Sequence, residues 1–446
     1  MQFGFAKTDI TPRIGVDLCG FGPFRNRVSI GVRDRLWARA MAVANGARTA
    51  VVVNCDLVGV SLAVTQRVRE LVTAGCTISP DAILISCTHT HSGPAVRPLG
   101  GWGRHDPPYL ELLPGRIADA CTRAIQALGE ATLRHACVPC EGVGLNREYD
   151  RDSPPLEAVL DEAWRPAKPE LTDTRCHVVT VERDGELIGF VSSFGCHPVV
   201  CCAENRYIHG DYCGVATNLL EREHPGSVGL FLQGAQGDVN SCVVHKSEQD
   251  SLLALDVIAA RYARAVRFGM AQAEPVADDD LAFVRQDIAF RRNQIPRETL
   301  AEWLAEAEAT LHAPGASDED RDLRMAMVHA GTLRSLIRKV DEGENLEPTS
   351  EVQGIRIGPL ALLGAPFEIF QAIKNRVVQH AQAPIPLVLG LCNDCIGYAP
   401  DWERGGGDGY AAKTVPMIIG QLPFDDIATQ LTEALLALDA QLADSP

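Results

Sequence analysis

Ile83-Leu-Ile-Ser-Cys-Thr-His-Thr-His-Ser-Gly-Pro94 is the stretch from which the rest of this chain can be read. Residues 82–86 form an apolar run of strand length. The run breaks into Thr88, His89, Thr90 and His91, then into the turn-formers Ser92, Gly93 and Pro94. Side chains two apart on a strand share a face, so two imidazoles leave this strand end on one side. Neutral imidazole is the commonest metal ligand, and α/β proteins place their chemistry in the crevice beyond strand carboxyl ends. The plain alternative, from these residues alone, is a polar strand end with two solvated histidines.

Working outward, 49–54 (Thr-Ala-Val-Val-Val-Asn) reads as a second buried strand, with a helix over 62–74 between the two. That is a βαβ unit with parallel strands. Downstream, a helix is expected over 110–128, a strand over 132–137 and a surface loop over the proline- and charge-rich 146–168. Segments 177–181 and 187–194 flank Asp184-Gly185, a strong hairpin signal, and 353–357 and 360–363 flank Gly358-Pro359 in a second one. Residues 211–223 read as a helix capped by Asp211, 229–232 as a strand and 251–269 as a helix. Parallel units mixed with hairpins predict an α/β fold of mixed β-sheets flanked by helices, with a metal site at strand ends. Over 296–342 the rhythm changes to an inserted helical hairpin. Leu300, Trp303, Leu304 and Ala307 line one face; Met325, Met327, Val328, Leu333 and Leu336 line another; Pro314-Gly315 divides them. Such a hairpin could be a lid, a dimer contact or a plain insertion, which leaves a homo-oligomer open. No internal repeat is visible.

At 446 residues, 46% hydrophobic and 22% charged, the chain buries a large core and is not disordered. Length alone accommodates two or three domains or one large α/β unit. A net charge of −17 argues against nucleic acid or an anionic membrane as the main partner. No apolar run reaches the ~18 residues that span a bilayer, and residues 1–9 lack the basic and apolar parts of a signal peptide. Fifteen cysteines, many in apolar stretches (Cys55, Cys87, Cys196, Cys242), suit a reducing cytoplasm with free thiols. The pairs Cys137/Cys140 and Cys392/Cys395 have the count for a four-thiolate zinc site, but they lie far apart and read better as packing cysteines.

Partners for the two histidines should sit at similar strand-to-loop junctions. His197 ends the apolar run before Pro198, Glu368 follows the apolar 361–367, and Tyr398 follows the strand end at Gly390. Two histidines and a glutamate form a known zinc shell with a position left open. Singly these signals are weak, since Glu368 could merely favour a helix N-terminus. Their recurrence at strand ends makes the joint reading stronger.

At this point the chain resembles the neutral/alkaline non-lysosomal ceramidases, a family of zinc-dependent amidases. The resemblance runs through Ala6-Lys-Thr-Asp-Ile-Thr-Pro12, Gly20-Phe-Gly22, Thr88-His-Thr-His-Ser-Gly-Pro94, Asn146-Arg147, Gly195-Cys-His-Pro198, Gly237-Asp-Val239, Ala365-Pro-Phe-Glu368, Gly397-Tyr398 and Tyr410. It implies one zinc hydrolase domain over 1–446, with 296–342 inserted in it. By position, His89, His197, Glu368 and Tyr398 correspond to the zinc ligands. His91, Arg147 and Tyr410 correspond to residues that touch the scissile carbonyl and the polar head of the substrate.

Three departures qualify this. Family members are longer, with a C-terminal immunoglobulin-like domain, and they are mostly secreted or membrane-facing. Their Gly-Asp-Val-Ser-Pro-Asn motif reads Gly237-Asp-Val-Asn-Ser-Cys242 here. Asn240 therefore replaces the proposed nucleophile, and Ser241 would need a shifted backbone to reach its place. What survives is hydrolysis of an amide by metal-activated water, with His91 as base or oxyanion donor, Arg147 and Tyr410 as clamps and Asn240 as orienting group. The expected partner is a small polar substrate rather than ceramide, with no stable membrane association. An esterase or lactonase with the same zinc, and an inactive ligand-binding homologue, are the rival functions. Outside the site, His105 reads as a solvated loop residue, and His177, His209 and His245 as structural. Asp56 reads as a cap or as a group holding a ligand histidine in its tautomer. The cluster Gly405-Gly-Gly-Asp-Gly409 reads as a flap, lacking the Lys-Ser/Thr ending of a phosphate-binding loop.

Overall fold

Three times along the chain the same order of elements recurs: three antiparallel strands, a helix, a fourth strand parallel to the third, and a closing helix. A computed structural model describes residues 1–97, 99–277, 280–401 and 409–444. The first unit comprises β1 (Gln2–Asp9), β2 (Trp37–Asn45), β3 (Arg48–Cys55), α1 (Leu62–Gly75), β4 (Ile83–Cys87) and α2 (Pro107–Gln126). The second comprises β5 (Thr132–Pro139), β6 (Arg175–Arg183), β7 (Glu186–Phe194), α3 (Asp211–Glu223), β8 (Val228–Gln233) and α4 (Glu248–Gln272). In the third, β9 (Leu281–Ala289) is followed by the helix pair α5 (Arg297–Leu311) and α6 (Arg321–Asp341). Then come β10 (Thr349–Ile357), β11 (Leu360–Gly364), α7 (Gln371–His380), β12 (Ile385–Leu389) and α8 (Ile427–Asp444).

Strand order within each sheet is correspondingly the same: fourth, third, second, first. The parallel pairs are β3 with β4, β7 with β8, and β11 with β12. A parallel neighbour needs a crossover connection, which α1, α3 and α7 supply. The antiparallel turns have their own local causes. At Asp184-Gly185 both residues adopt positive φ (55° and 82°), the geometry that tight two-residue hairpins require.

Alternation along the strands explains the layering. Val52 and Leu84 face inward and share one apolar cluster with Val179, Leu230, Ile355 and Leu387 from the other two sheets. Their neighbours Val51, Val53, Ile83 and Ile85 face outward onto α1 and α2. The outer faces of the second and third sheets are likewise covered by α3 and α4, and by α7 and α8. Three sheets thus wall a common apolar centre with helices outside, each fully buried aliphatic side chain contributing ~1.5–3 kcal/mol. No helix among the described residues is long and apolar enough to cross a membrane.

The mixed α/β architecture, both hairpins and the first βαβ unit agree with the sequence reading. Other details differ. The threefold recurrence is topological and left no trace in the sequence. The expected loop over 146–168 contains a short helix, Leu156–Leu160. Met327 is 52% exposed rather than part of the buried face of α6, because Val328, Leu333 and Leu336 take that face. Asp211 does not cap α3; Gly210 holds the cap position. The Asp211 carboxylate instead accepts the Val200 and Cys201 amides, tying down the loop that follows His197.

Candidate metal centre and cavity

The carboxyl ends of the parallel strands converge. His89 and His91 follow β4, His197 follows β7, Gln236 and Asn240 follow β8, Glu368 follows β11 and Tyr398 follows β12. Glu368 and Tyr398 are register partners in a short parallel pair, Glu368–Ile369 with Tyr398–Ala399, which fixes their side chains together. His89 carries φ 71°, an uncommon conformation for a residue with a side chain, at the point where β4 breaks off.

Backbone carbonyls set the imidazole tautomers. His89 Nδ1 donates to the Val58 carbonyl at 2.5 Å and His197 Nδ1 to the Gln236 carbonyl at 2.6 Å. A carbonyl only accepts, so each Nδ1 carries the proton and each Nε2 presents a lone pair. Both lone pairs meet Glu368 Oε2, at 3.4 Å from His89 and 2.8 Å from His197. Three acceptors therefore face one another, an arrangement that requires a proton or a cation. Burial opposes the proton, pushing His197 down to about 4. Burial would also raise Glu368, but attraction to His89 and His197 when these carry positive charge overcomes it and holds the carboxyl well below its usual range, so the carboxylate favours a cation at this point. The donor set, two outward-tethered imidazoles and a carboxylate, fits zinc. Tyr398, 7% exposed, brings its hydroxyl to 3.5 Å from His197 Nε2.

His91 completes a trio whose ligand nitrogens all lie within 4.8 Å of one another. Its ring is edge-on to His89 at 4.8 Å and to Phe21 at 5.0 Å. Both its nitrogens are shielded from solvent and have no hydrogen-bond partner. Burial first, then His89 and His197, keeps it well below the usual imidazole range, hence neutral. The Arg147 guanidinium stacks on the Tyr398 ring at 4.8 Å. Burial would lower it, yet Tyr398, Glu368 and Tyr410 more than offset this and hold it firmly charged.

These groups open into a cavity of about 630 Å³. Asn240 and Tyr410 line it, Tyr410 at the mouth with 47% exposure. Ser241, one residue on, is fully buried, and its hydroxyl accepts the Val243 amide at 3.3 Å. Strand alternation thus turns Asn240 toward the cavity and Ser241 away. All eight residues singled out from the sequence, His89, His91, Arg147, His197, Asn240, Glu368, Tyr398 and Tyr410, border this one cavity.

Two glycines of the sequence motifs find their reason here. A Cβ on Gly20 (φ 118°) would lie 2.4 Å from His91 Cγ, and one on Gly237 would lie 2.5 Å from the Glu368 carbonyl oxygen. Gly237 also donates its amide to the Ile369 carbonyl at 2.7 Å, locking the β8 loop against the Glu368 strand. Asp238 reinforces that lock through the Gln371 amide and Asn146 Nδ2, and burial raises its carboxyl to about 6.

The remaining expectations divide. Asp56 touches no imidazole; it accepts the Trp37 amide at 3.0 Å and pairs with the buried Arg39 at 2.8 Å. His105 is an exposed loop residue whose Nε2 meets the Arg97 carbonyl. His245 lines the cavity, though the sequence reading took it as structural. Among the described residues, the groups of three close enough to share an ion are His89-His91-His197 and Cys201-His209-Asp211, so the CxxC pairs build no thiolate site. Residues 405–408, expected as a flap, lie outside the described residues. Sequence reasoning missed Val58 and Gln236, which act through backbone carbonyls and carry no side-chain signal, and Arg321, which tertiary structure brings to the cavity.

Comparison with known proteins bears on this site. The family profile described as neutral/alkaline non-lysosomal ceramidase, N-terminal, matches residues 1–253. The neutral ceramidase of Pseudomonas aeruginosa is 27% identical over 257 residues, 54% of this chain but only 37% of that protein. The crystal structure of the neutral ceramidase from Pseudomonas aeruginosa superposes with a TM-score of 0.73 at 21% identity, covering 99% of this chain and 74% of that one. A ceramidase complexed with C2 gives 0.75, again at 21% identity, over 99% and 75%. At such identities the structural likeness is one of fold.

Proposed function

The chain is a member of the neutral/alkaline non-lysosomal ceramidase family, and on that premise we propose that it is a zinc-dependent hydrolase of the amide bond in a small, polar N-acyl compound. One observation carries the reading: Nε2 of His89, Nε2 of His197 and the Glu368 carboxylate converge with no proton donor among them. Zinc held by these three, with the Tyr398 hydroxyl at hand, would polarise the scissile carbonyl and acidify a water.

The remaining roles follow from the chain's own groups. Neutral His91, with both nitrogens free of protein partners, takes a proton from the attacking water and returns it to the leaving nitrogen. Arg147, charged and partly unpartnered, stabilises the oxygen that becomes negative. Asn240 orients the water from the cavity wall, and Tyr410 meets the polar head at the mouth. The water oxygen joins the acyl carbon, the C–N bond breaks and the amine gains the proton. With Asn240 lacking a hydroxyl and Ser241 turned away, no acyl-enzyme forms. A reducing, cytoplasmic setting belongs to the same reading, supported by fifteen unbridged cysteines.

Metal analysis combined with a panel of N-acyl compounds, esters and lactones tests this. We expect about one zinc per chain and amide turnover. Turnover confined to oxygen esters would move the reading to an esterase. Failure to bind zinc even when it is supplied would end it.

A further inference from the structure

We propose that the substrate carries a carboxylate on its amine side and that Arg321 binds it, an inference that rests on the hydrolase reading above. In each of the three units, the connection between first and second strand is a long excursion that returns to wall the cavity. Residues 10–36 bring Phe21, 140–174 bring Arg147, and 290–348 bring Arg321 from the first turn of α6. From the helix pair, Arg321 thus reaches the cavity.

Charge distinguishes the cavity. Arg97, Arg147, Arg151 and Arg321 all line the cavity of a chain whose net charge is −17. Among the described residues none of these four is ion-paired with a carboxylate. On the same helix pair Arg297, Arg334 and Arg338 pair with Asp341, Glu308 and Glu342. Glu148 and Asp150 share the cavity, and Glu368 is turned to the imidazoles, so the guanidinium groups remain in excess. Deeper in, Arg147 Nη2 is shielded from solvent and meets no acceptor. The oxygen that becomes negative claims that donor, which leaves Arg321 for a carboxylate, and guanidinium groups suit carboxylates because they offer paired donors.

The arrangement also has a direction. Phe21 lies 5.0 Å from His91 and offers an aromatic ring at that end. Tyr410 lies 6.2 Å from Tyr398 on the other side, in the same cavity lining as Arg147 and Arg321. His245 lines the cavity together with Arg321. An N-acyl amino acid fits this axis. Its acyl group lies against Phe21, its amide at the imidazoles and Arg147, and its carboxylate at Arg321. Hydrolysis would release a carboxylic acid and an amino acid.

The test compares N-acyl glycine with the matching N-acyl glycinamide on zinc-loaded protein, as wild type, Arg321→Met and Arg334→Met. Arg334 removes the same charge thirteen residues further along α6. We expect wild type and Arg334→Met to favour the acid in kcat/KM by about tenfold or more. In Arg321→Met the ratio should collapse toward one, mainly through KM. Equal rates for the pair in wild type, or a preference that survives Arg321→Met, overturns the proposal. Should neither amide turn over, the hydrolase reading fails, and calorimetric titration with the same pair still decides the anion site. Tighter binding of the acid, lost in Arg321→Met, upholds it; equal binding refutes it.

Discussion

His89 and His197 turn their Nδ1 atoms outward to the carbonyls of Val58 and Gln236, whereas in the pair His135 and His177 the ring nitrogens meet each other and a neighbouring thiol. Both clusters are buried or half-buried and both line cavities, and burial lowers His197 in the first as it lowers His135 and His177 in the second. In the second cluster the rings stack at 5.4 Å, His135 Nε2 meets His177 Nδ1 at 3.1 Å, and His177 Nε2 meets Cys137 Sγ at 3.8 Å. Its polar atoms satisfy one another. In the first cluster the satisfied atoms all point away, and what converges is three lone-pair acceptors. Histidine content does not make a metal site; outward tethering does, because it fixes which nitrogen is bare and where it points.

The sharpest way to break this contrast is to delete a ligand from each cluster. His197→Ala should abolish zinc binding and lower hydrolysis by about a thousandfold or more, while His177→Phe should leave zinc content at the wild-type level. Mass-spectrometric metal content and turnover check both; zinc lost from the His177 variant instead would erase the distinction. A smaller effect should come from the tether alone. Gly237→Ala forces the β8 loop away from the Glu368 backbone, shifting the carbonyl that holds His197. Zinc affinity by competition with a chelator should fall about ten- to hundredfold; an unchanged affinity would mean that the tether is not what orients the ring.

The smallest effect is on stability. Burial, with His135 second, holds His177 down to about 4, against ~6.5 in an unfolded chain. Between those values the unfolded chain takes up a proton that the folded chain does not. The stability associated with this neutral histidine is therefore intact above ~6.5 and lost as pH falls toward 4. Urea unfolding of His177→Phe over that range should show a pH slope reduced by up to one proton relative to wild type. Equal slopes would show that His177 titrates normally and that the second cluster is open to solvent.

How much was legible beforehand differs between the two clusters for a physical reason. His89, His197, Glu368 and Tyr398 each end or follow an apolar strand, and strand ends are where a parallel pair must deliver its loops, so local pattern pointed to them. His135 and His177 sit within strands, where alternation gives their face but not their cross-strand partners. The ion pairing of Asp56 with Arg39 and the use of Asp211 on the loop after His197 were misjudged alike, since the partner in each case comes from a distant segment. Ser241 could be weighed in sequence only as a neighbour of Asn240, and pairing with Gly144 settles its direction.

The sequence by itself determined the elements, the mixed class of the sheets and the identity of the groups at the strand ends, because periodicity and turn chemistry act over a few residues. Tertiary structure alone decided that three units share one topology and one apolar centre. It also decided that backbone carbonyls orient the imidazoles, and that Arg321 reaches the same cavity as Arg147. Those relations depend on contacts between segments hundreds of residues apart, which no local pattern records.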